Sequence, residues 1–370
     1  MHAIKKIIIT GGHPAPALAI IDQLKKDHPP VEIVFVGRKY NNAQEKSESF
    51  EYQEINKRSI QFINLDAGRV TRVFSLQSLL NILRIPFGFV HALVILMQQK
   101  PNVILTFGGY LSLPMAFIGY LFGIPVYIHE QTIRPGSANK IISYLAKKIF
   151  ISFEQSIKFF PSDKSILTGN PVRTSIFEDN HGTIVRDESV PCIYITGGSL
   201  GSHAINILFE NIVPKLLEKY CIVHQTGNVE AYGDFNLLND LKKSLPSNLQ
   251  KRYILKTHIS NEDIGAVYKA ADLVVGRSGA NTCFELVALH KPALLIPLPW
   301  SAYDEQQKQA ALLSSFGAAE LFDQYDSSMD LLELIYKMMD NIKVYEEAYQ
   351  KISGIYKSDA VSRIITEIFS

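Results

Sequence analysis

The residue with the clearest catalytic potential is His13, which stands where a glycine turn enters a helix-like stretch. It follows an apolar run and the pair Gly11-Gly12, and Pro14 comes directly after it. Because the pKa of an unperturbed imidazole lies near ~6.5, a histidine at such a place can act as a general base at neutral pH. A histidine that only caps or packs the turn would look the same in sequence, so the residues alone leave both interpretations open.

A second glycine turn, G-G-S-L-G-S at 197–202, favours an anionic ligand. It follows an apolar strand-like run and precedes a helix-like stretch. The start of a helix presents unpaired N–H groups and the positive end of the helix dipole, which together suit a diphosphate. The spacing fits neither G-x-G-x-x-G nor G-x-x-x-x-G-K-[ST], so it disfavours dinucleotide binding and ATPase chemistry.

Two further polar groups stand where a ribose or a sugar could be recognised. Glu285 falls in a helix-like stretch, and its carboxylate could accept two hydrogen bonds from a ribose diol. Gln306 and Gln307 open a later helix, and their amides can donate to and accept from sugar hydroxyls. The alternatives are a solvated helix glutamate and the ordinary polarity of a helix start.

The segment His129-Glu130-Gln131 follows another apolar strand and could line a ligand site without a metal. Its spacing differs from H-E-x-x-H, and the chain contains no D-x-D pair. We therefore expect no metal ion and no metal-clamped nucleotide. The three cysteines are widely spaced and form no C-x-x-C, which indicates a reducing compartment and no disulfide framework.

The overall composition is that of a soluble globular protein with two domains. The 370 residues are too many for one ordinary domain, and 47% of them are hydrophobic. The net charge of +1 does not indicate nucleic-acid binding. Between Ile85 and Ile128 the only charged side chain is Lys100, but prolines and glycines divide this stretch into pieces shorter than a membrane-spanning helix.

Strand-like runs alternate with helix-like stretches in both halves, a pattern typical of right-handed βαβ units around a parallel sheet. We therefore predict two doubly wound domains with ligands at the carboxyl ends of their strands. The predicted strands are Ile4–Thr10, Glu32–Val36, Ile60–Asn64, Val103–Thr106, Pro125–His129 and Lys148–Ser152, followed by Cys192–Thr196, Cys221–Gln225, Tyr253–Lys256, Leu273–Val275, Ala293–Pro297 and Ala319–Leu321. The predicted helices of the second half include Ser202–Lys219, Asn261–Ala270, Ala280–His290 and Glu305–Phe316.

A polar passage before residue 190 marks the predicted domain boundary. We assign residues 1–178 to the first domain, 179–189 to a linker and 190–340 to the second domain. The tail from about Ser327 has the periodicity of two or three amphipathic helices, and we expect residues 341–370 to pack back on the first domain.

An ordered set of motifs extends from residue 7 to about residue 325: T-G-G-H, F-G-G-Y-L-S-L-P, G-I-P-V-Y-I-H-E-Q, T-G-N-P-V-R, G-G-S-L-G-S, R-S-G-A-N-T-C-F-E, D-E-Q-Q and F-G-A-A. Each motif alone is weak, but the ordered set resembles the glycosyltransferases of bacterial peptidoglycan synthesis, glycosyltransferase family 28. The resemblance implies the α/β GT-B fold, in which two Rossmann-like parallel-sheet domains face a cleft. It also implies inverting transfer of GlcNAc from UDP-GlcNAc to the C4 hydroxyl of MurNAc in lipid I, giving lipid II, without a cofactor.

By the same resemblance, the second domain holds the UDP-GlcNAc donor. Ser199 and the amides of its turn would contact the diphosphate, and Glu285 would bind the ribose. His258 and Ile259 would flank the uracil. The complete implied donor set is Gly198, Ser199, Gly201, His258, Ile259, Arg277, Gly279, Thr282, Glu285, Gln306 and Gln307.

The first domain would hold the acceptor, undecaprenyl-diphosphate-linked MurNAc-peptide. The resemblance makes His13 the base that takes the proton of the attacking hydroxyl. The helix after Ser199 would stabilise the departing UDP. The implied acceptor set is Thr10, Gly11, Gly12, Tyr110, His129, Glu130, Gln131, Asn139 and Arg173.

Three departures from the family pattern fall inside these motifs. Ile8-Ile9 replace the glycine pair that usually precedes T-G-G-H. Thr132 stands where an asparagine usually follows H-E-Q, and Ala310 replaces the asparagine found three residues after the paired glutamines. We expect these changes to alter contacts to the acceptor and to the sugar.

A basic and apolar segment indicates where the first domain could meet a membrane. Basic residues interspersed with apolar ones suit adsorption to an anionic lipid surface, although a helix with an apolar inner face and solvated arginines has the same pattern. The family acceptor is embedded in lipid, so we expect a peripheral protein on the cytoplasmic side of the plasma membrane. The segment contains Arg69, Arg72, Val73, Phe74, Leu76, Leu79, Leu80, Arg84, Ile85 and Phe87.

Other functions fit part of the pattern. The non-hydrolysing UDP-GlcNAc 2-epimerases, which are isomerases, have a similar two-domain fold and use the same nucleotide sugar. They would not explain T-G-G-H, H-E-Q and the basic-apolar segment together. A glycolipid synthase that uses diacylglycerol and an inactive sugar-nucleotide-binding subunit are further alternatives.

Overall fold

Each half of the chain folds around its own parallel β-sheet. The protein is represented by a computed structural model that describes residues 4–40, 48–68, 84–178, 187–198, 200–227, 229, 232–352 and 354–370. The chain divides into a first unit, Met1–Arg173 with Lys357–Ser370, and a second unit, Thr174–Tyr356.

The first unit has seven parallel strands among its described residues, in the order β3-β2-β1-β4-β5-β6-β7. The strands are β1 Lys6–Thr10, β2 Glu32–Gly37, β3 Gln61–Asn64, β4 Val103–Thr106, β5 Val126–Glu130, β6 Lys148–Ile151 and β7 Ser165–Leu167. The helices are Pro14–Asp27, Phe50–Lys57, Ile85–Gln99, Ser112–Leu121, Ser137–Leu145 and Ala360–Phe369.

The central strand of this sheet shows why the sequence folds in this way. Ile7, Ile8 and Ile9 are fully buried. Ile7 and Ile9 belong to a core with residues of the helices Pro14–Asp27 and Ala360–Phe369, whereas Ile8 belongs to the core on the other face. Because successive side chains of a strand point to opposite faces, a continuous apolar run fits a sheet that is covered on both sides.

The second unit repeats the architecture with six described parallel strands in the order β10-β9-β8-β11-β12-β13. The strands are β8 Cys192–Thr196, β9 Cys221–Gln225, β10 Tyr253–Lys256, β11 Leu273–Gly276, β12 Ala293–Leu295 and β13 Ala319–Leu321. The helices are His203–Glu210, Val213–Leu217, Asp234–Ser244, Ser247–Arg252, Ile264–Ala270, Ala280–Leu289, Glu305–Ser315, Ser328–Asp340 and Ile342–Ala348.

The two predicted parallel sheets are confirmed, and several bounds differ from the prediction: β1 begins at Lys6 and not at Ile4, and β12 ends at Leu295 and not at Pro297. β7 was not predicted. The predicted helix Ser202–Lys219 is interrupted after Glu210, because Pro214 lies in the first turn of the next helix and has no N–H for an interior helical bond.

The division between the units differs from the predicted boundaries. It falls after Arg173, earlier than residue 178, and residues 341–356 of the predicted tail remain in the second unit while 357–370 join the first. Most of the predicted linker, 179–186, lies outside the described residues.

The topology fixes where ligands can approach each unit. In the first sheet the strand order reverses between β1 and β4, and in the second between β8 and β11. Ligands of such sheets bind at the carboxyl ends of the strands that flank this reversal. The glycine turns of the sequence analysis follow these strands.

Candidate active site

Two glycine turns of the first unit meet at the reversal point between β1 and β4. Gly12 has a φ of +148°, and a Cβ there would collide with the carbonyl oxygen of Gly108. Gly109 has a φ of +80°, and its Cβ would lie 3.2 Å from the Cα of Gly12. Only glycine allows both turns this backbone conformation and this close approach.

His13 follows this contact and occupies the N-cap position of the helix Pro14–Asp27, without a side-chain capping hydrogen bond. Its ring is partly buried, and desolvation by the surrounding protein lowers its pKa to about 4. The imidazole is therefore neutral at pH 7 and can accept a proton.

His129, on β5, lies close enough to His13 for their charges to interact. Its pKa is lowered to about 3, mainly by burial and to a smaller extent by His13. Its Nε2 lies 3.2 Å from Ser152 Oγ and 3.4 Å from the carbonyl oxygen of Gly169. Its Nδ1 is buried and has no hydrogen-bond partner among the described residues.

Glu130, the next residue of β5, carries a buried carboxyl group that is held by several donors. Asn139 Nδ2 donates to Oε2 at 2.9 Å, while Thr132 donates to Oε1 through its N–H at 2.9 Å and its Oγ1 at 2.7 Å. Burial raises the pKa of Glu130, and these hydrogen bonds oppose the rise. Thr132, one of the departures from the family pattern, is thus directed towards Glu130.

Four polar side-chain atoms of the first unit are buried without a partner among the described residues. A buried polar atom left unpaired costs roughly 1–3 kcal/mol, so such atoms commonly bind water or a ligand. All four belong to β4, to β5, to the residue that follows β5 or to the helix Ser137–Leu145. They are Thr106 Oγ1, His129 Nδ1, Gln131 Oε1 and Asn139 Oδ1.

The remaining predicted acceptor residues have different surroundings. The hydroxyl of Thr10 lies 2.8 Å from Ser112 Oγ, which in turn donates to the carbonyl oxygen of Gly108. Tyr110 and Arg173 are partly buried.

Glu51 is a residue of this region that the sequence analysis did not identify. Its Oε1 accepts a hydrogen bond from the N–H of Arg38 at 2.7 Å, and its carboxyl group occupies the space that a Cβ on Gly11 would need. Burial raises the pKa of Glu51. No local pattern marks this residue, because it comes from the helix Phe50–Lys57, far from Gly11 in sequence.

In the second unit, the turn after β8 contains one glycine that close packing requires, Gly201, and one that it does not, Gly198. A Cβ on Gly201, whose φ is +78°, would collide with the carbonyl oxygen of Thr226. Gly198 has a φ of +84° and open space where its Cβ would be. Gln225 Nε2 donates to the carbonyl oxygen of Gly198 at 2.8 Å. Ser199 lies outside the described residues.

Arg277 joins this turn to the loop after β12. Its Nη2 donates to Ser202 Oγ at 2.8 Å and to Gln324 Oε1 at 2.8 Å. Its Nη1 donates to the carbonyl oxygens of Ile296 and Pro297 at 3.0 and 3.2 Å. The guanidinium is buried among these protein acceptors, and burial lowers its pKa.

The predicted uridine-contacting residues occupy three kinds of environment. The N–H of Ile259 donates to Gln225 Oε1 at 2.9 Å, while His258 is exposed. Glu285 is buried, and its Oε2 accepts a hydrogen bond from Tyr268 Oη at 2.8 Å. Gln225 therefore connects Gly198 to the segment predicted to flank the uracil.

The predicted sugar-contacting residues surround the N-terminus of the helix Ala280–Leu289. Gly279 is its N-cap, and no heavy atom lies within 4 Å of where its Cβ would be. Thr282 is partly buried. Ser278 Oγ donates to the carbonyl oxygen of Gln306 at 2.8 Å, and Gln307 is exposed.

Each unit thus gathers most of its predicted residues at the carboxyl ends of its strands. The first unit combines a neutral histidine with buried, unpartnered polar atoms, which can bind hydroxyl and amide groups. The second combines open glycines with the start of a ten-residue helix, Ala280–Leu289, which can bind anions and sugar hydroxyls. The described residues contain no cluster of three or more His, Cys, Asp or Glu side chains suited to a metal ion.

Comparison with known proteins matches both halves to one family. Residues 8–151 match the glycosyltransferase family 28 N-terminal domain, and residues 192–364 match the glycosyltransferase family 28 C-terminal domain. A Trichlorobacter lovleyi protein named UDP-N-acetylglucosamine--N-acetylmuramyl-(pentapeptide) pyrophosphoryl-undecaprenol N-acetylglucosamine transferase is 31% identical, with 97% of this chain and 95% of that protein covered. A Bacillus thuringiensis subsp. konkukian protein of the same name, with the number 2, is 32% identical, with 99% of each chain covered.

Solved structures share the fold along the whole chain. The crystal structure of Acinetobacter baumannii MurG superposes with a TM-score of 0.68 at 24% identity, covering 98% of this chain and 99% of that one. The UDP-GlcNAc 2-epimerase from Neisseria meningitidis bound to UDP-GlcNAc superposes with a TM-score of 0.64 at 16% identity, covering 99% of each chain. The predicted fold is therefore confirmed.

Proposed function

The chain belongs to glycosyltransferase family 28, and from this membership we propose that it transfers GlcNAc from UDP-GlcNAc to the C4 hydroxyl of MurNAc in lipid I, giving lipid II. The names of the relatives state the donor, the undecaprenyl-diphosphate-linked acceptor and the sugar that is transferred. The identity extends over nearly the full length of both proteins, which supports the same activity here.

His13 acts as the base in this proposal. Its neutral imidazole takes the proton of the acceptor hydroxyl as the hydroxyl oxygen attacks the anomeric carbon of GlcNAc. The bond from that carbon to the diphosphate oxygen breaks, UDP departs, and the configuration at the anomeric carbon is inverted. The lowered pKa of His13, about 4, keeps the imidazole unprotonated before the reaction, and it also makes His13 a weaker base than an ordinary histidine.

The observation that carries this assignment is the presence of buried, unpartnered polar atoms close to His13. His129, whose Nδ1 is unpartnered, interacts electrostatically with His13. Asn139, whose Oδ1 is unpartnered, lies against Gly108, and Gly108 contacts Gly12. Asn139 Oδ1 can accept a hydrogen bond, and His129 Nδ1 can accept or donate one according to its tautomer, so both can bind the hydroxyl and amide groups of an amino sugar with its peptide. A histidine that only packed the turn would not need such neighbours.

The proposed donor site lies in the second unit. The amides around Gly198 and the helix that begins at His203 would bind the diphosphate and stabilise the negative charge of departing UDP. Gly279 and Gln306 would lie along the sugar. Glu285 would bind the ribose, with Tyr268 fixing the orientation of its carboxyl group.

We further propose that the first unit docks on the cytoplasmic face of the plasma membrane. The helices Ile85–Gln99 and Ser112–Leu121 carry no charged side chain and expose many apolar ones. Of the predicted basic-apolar segment, only Arg84, Ile85 and Phe87 are among the described residues. None of the described helices is both long and apolar enough to span a bilayer. The exposed side chains are Phe87, Val90, Val94, Met97, Phe117, Tyr120 and Leu121.

A transfer assay tests the function directly. The protein is incubated with radiolabelled UDP-GlcNAc and a short-chain lipid I, with lipid-free and diacylglycerol controls. Label in the lipid I product alone supports the proposal, whereas label in the diacylglycerol product points to a glycolipid synthase. Formation of an epimerised nucleotide sugar without acceptor would assign the chain to the isomerases, whose fold it shares.

A further inference from the structure

An exposed aromatic pair stands on the loop 297–304, here called the aromatic loop, between β12 and the helix Glu305–Ser315. Trp300 is the only tryptophan of the chain and is 67% exposed. Tyr303 is 38% exposed. Neither residue falls within the motifs that carry the family resemblance.

The backbone of the aromatic loop is strained at its end. Tyr303 has φ and ψ of 56° and 29°, and Asp304 has 56° and 34°. Both lie in the left-handed region, which is rare for a bulky residue such as tyrosine and is adopted more readily by aspartate. Two successive residues persist there only when the surrounding structure holds them, and such strain concentrates at functional sites.

Hydrogen bonds fix the loop to the proposed donor site. Arg277 Nη1 donates to the carbonyl oxygen of Pro297 at 3.2 Å. The N–H of Leu298 donates to Gln306 Oε1 at 3.0 Å, and the N–H of Gln306 donates to Ser301 Oγ at 3.3 Å. The rings of the loop are therefore presented from a fixed base that shares Arg277 and Gln306 with the donor site.

We propose that Trp300 and Tyr303 form a stacking platform for a pyranose ring, an inference that rests on the proposed transferase function. The C–H-rich face of a pyranose packs on the electron-rich face of an aromatic ring, and the ring gives this contact a large area with few rotatable bonds. The aromatic loop leads directly into the helix that begins with Glu305, Gln306 and Gln307, and the amides of the two glutamines can bind sugar hydroxyls. The pyranose is the GlcNAc of the donor, because the aromatic loop belongs to the same unit as the proposed donor site.

The single tryptophan makes the contact directly measurable, because all tryptophan emission comes from Trp300. The protein is titrated with UDP, with UDP-GlcNAc, and with short-chain lipid I in the presence of UDP. A blue shift with UDP-GlcNAc but not with UDP supports the contact with the donor sugar, whereas a shift that appears only with lipid I would contradict it. No shift with either sugar-bearing ligand, at concentrations where calorimetry shows binding, overturns the proposal.

Substitutions of the two aromatic residues distinguish a contact made by the rings from an effect of the loop backbone. Trp300→Ala is expected to raise the KM for UDP-GlcNAc about tenfold and to change the Kd for UDP less than twofold. Trp300→Phe keeps an aromatic ring, so its KM for UDP-GlcNAc should stay close to that of the unmodified protein. Tyr303→Asn keeps a residue that tolerates the left-handed conformation and should raise the same KM without lowering the thermal midpoint.

Failure of this inference is distinguishable from failure of the proposed function. Unchanged KM values for both substrates in Trp300→Ala and Tyr303→Asn, with transfer activity intact, would refute the platform and leave the transferase in place. Absence of UDP binding and of transfer in the unmodified protein would refute both.

Discussion

The Nη2 of Arg277 donates a hydrogen bond to Ser202 Oγ at 2.8 Å. This bond connects the turn after β11 to the residue that caps the helix His203–Glu210, and Ser202 also accepts from the N–H of Ile205. The same guanidinium donates to the carbonyl oxygen of Pro297. One buried side chain therefore holds three segments of the proposed donor site in register.

Arg277→Lys is expected to weaken donor binding by about tenfold or more, because a lysine ammonium cannot reproduce the planar fork that reaches several acceptors at once. The KM for UDP-GlcNAc and the Kd for UDP measure this effect. Arg252→Lys is the matched control, since Arg252 Nη1 also donates to two backbone carbonyl oxygens, of Leu217 and Glu218. Equal KM changes in the two variants would mean that Arg277 acts only through general stability.

Substitution of His13 tests the proposed base. His13→Ala should lower kcat by about 10²–10⁴-fold, because the acceptor hydroxyl then loses its proton to water, while the Kd for UDP stays within about twofold. His28→Ala is the control, because His28 follows the C-terminal end of the same helix that His13 precedes. Transfer at the unmodified rate in His13→Ala would exclude His13 as the base.

Much of this fold could be predicted from the alternation of strand-like runs with helix-like stretches. The fully buried strands Cys192–Thr196 and Cys221–Gln225 were predicted with their observed bounds, and so were the partly buried Tyr253–Lys256 and Ala319–Leu321. β7, Ser165–Leu167, was missed because it is short and only two of its residues are apolar. Pro214, which separates the helices His203–Glu210 and Val213–Leu217, is a break that the sequence itself indicates.

The candidate site was predictable where chemistry follows directly from the local chain. The turns at Gly12 and Gly201 have positive φ values, which the glycine patterns indicate. The contact of Glu51 with Gly11 and the bonds of Arg277 to the loop after β12 join residues distant in sequence. Such pairings depend on the three-dimensional packing of several elements, and no spacing in a single sequence records them.

The stability of the second unit should fall as the pH drops below about 6.5, and His224 should contribute to this fall. Burial lowers the pKa of His224 to about 3, whereas in the unfolded chain it titrates near its ordinary value. The unfolded state therefore binds the proton first, and each pH unit between these values costs about 1.4 kcal/mol.

The His224→Gln variant isolates this contribution from the carboxyl groups that titrate in the same range. Gln can still reach the partners of His224, Asn206 and Tyr253, but it does not titrate. Thermal midpoints between pH 7.5 and 4.5 should decline less steeply in the variant. Parallel curves for both proteins would show that His224 is not held neutral.

Gly279→Ala tests whether the donor approaches the start of the helix Ala280–Leu289. The backbone at Gly279 has a φ of −64° and open space around the missing Cβ, so alanine should leave the thermal midpoint unchanged. A donor bound close to this backbone would meet the added methyl group, and we expect the KM for UDP-GlcNAc to rise roughly tenfold.

Gly136→Ala provides the matched control for this substitution. Gly136 is also an N-cap glycine with a φ of −64° and nothing within 4 Å of its Cβ position, but it lies in the first unit. Its substitution should leave the KM for UDP-GlcNAc unchanged. If Gly279→Ala also left donor binding unchanged, the proposed position of the sugar nucleotide would be wrong.

The proposed membrane contact predicts that a single charge on the exposed helix Ile85–Gln99 weakens lipid binding. Val90 is 58% exposed, and Val90→Asp removes apolar area from the contact and adds repulsion from anionic lipid, so partition into anionic vesicles should fall about tenfold. Val344 is 63% exposed on a helix of the second unit, and Val344→Asp should leave partition unchanged. Co-sedimentation with vesicles measures both variants. Equal losses would indicate an effect of net charge alone, and no loss in Val90→Asp would remove this helix from the docking surface.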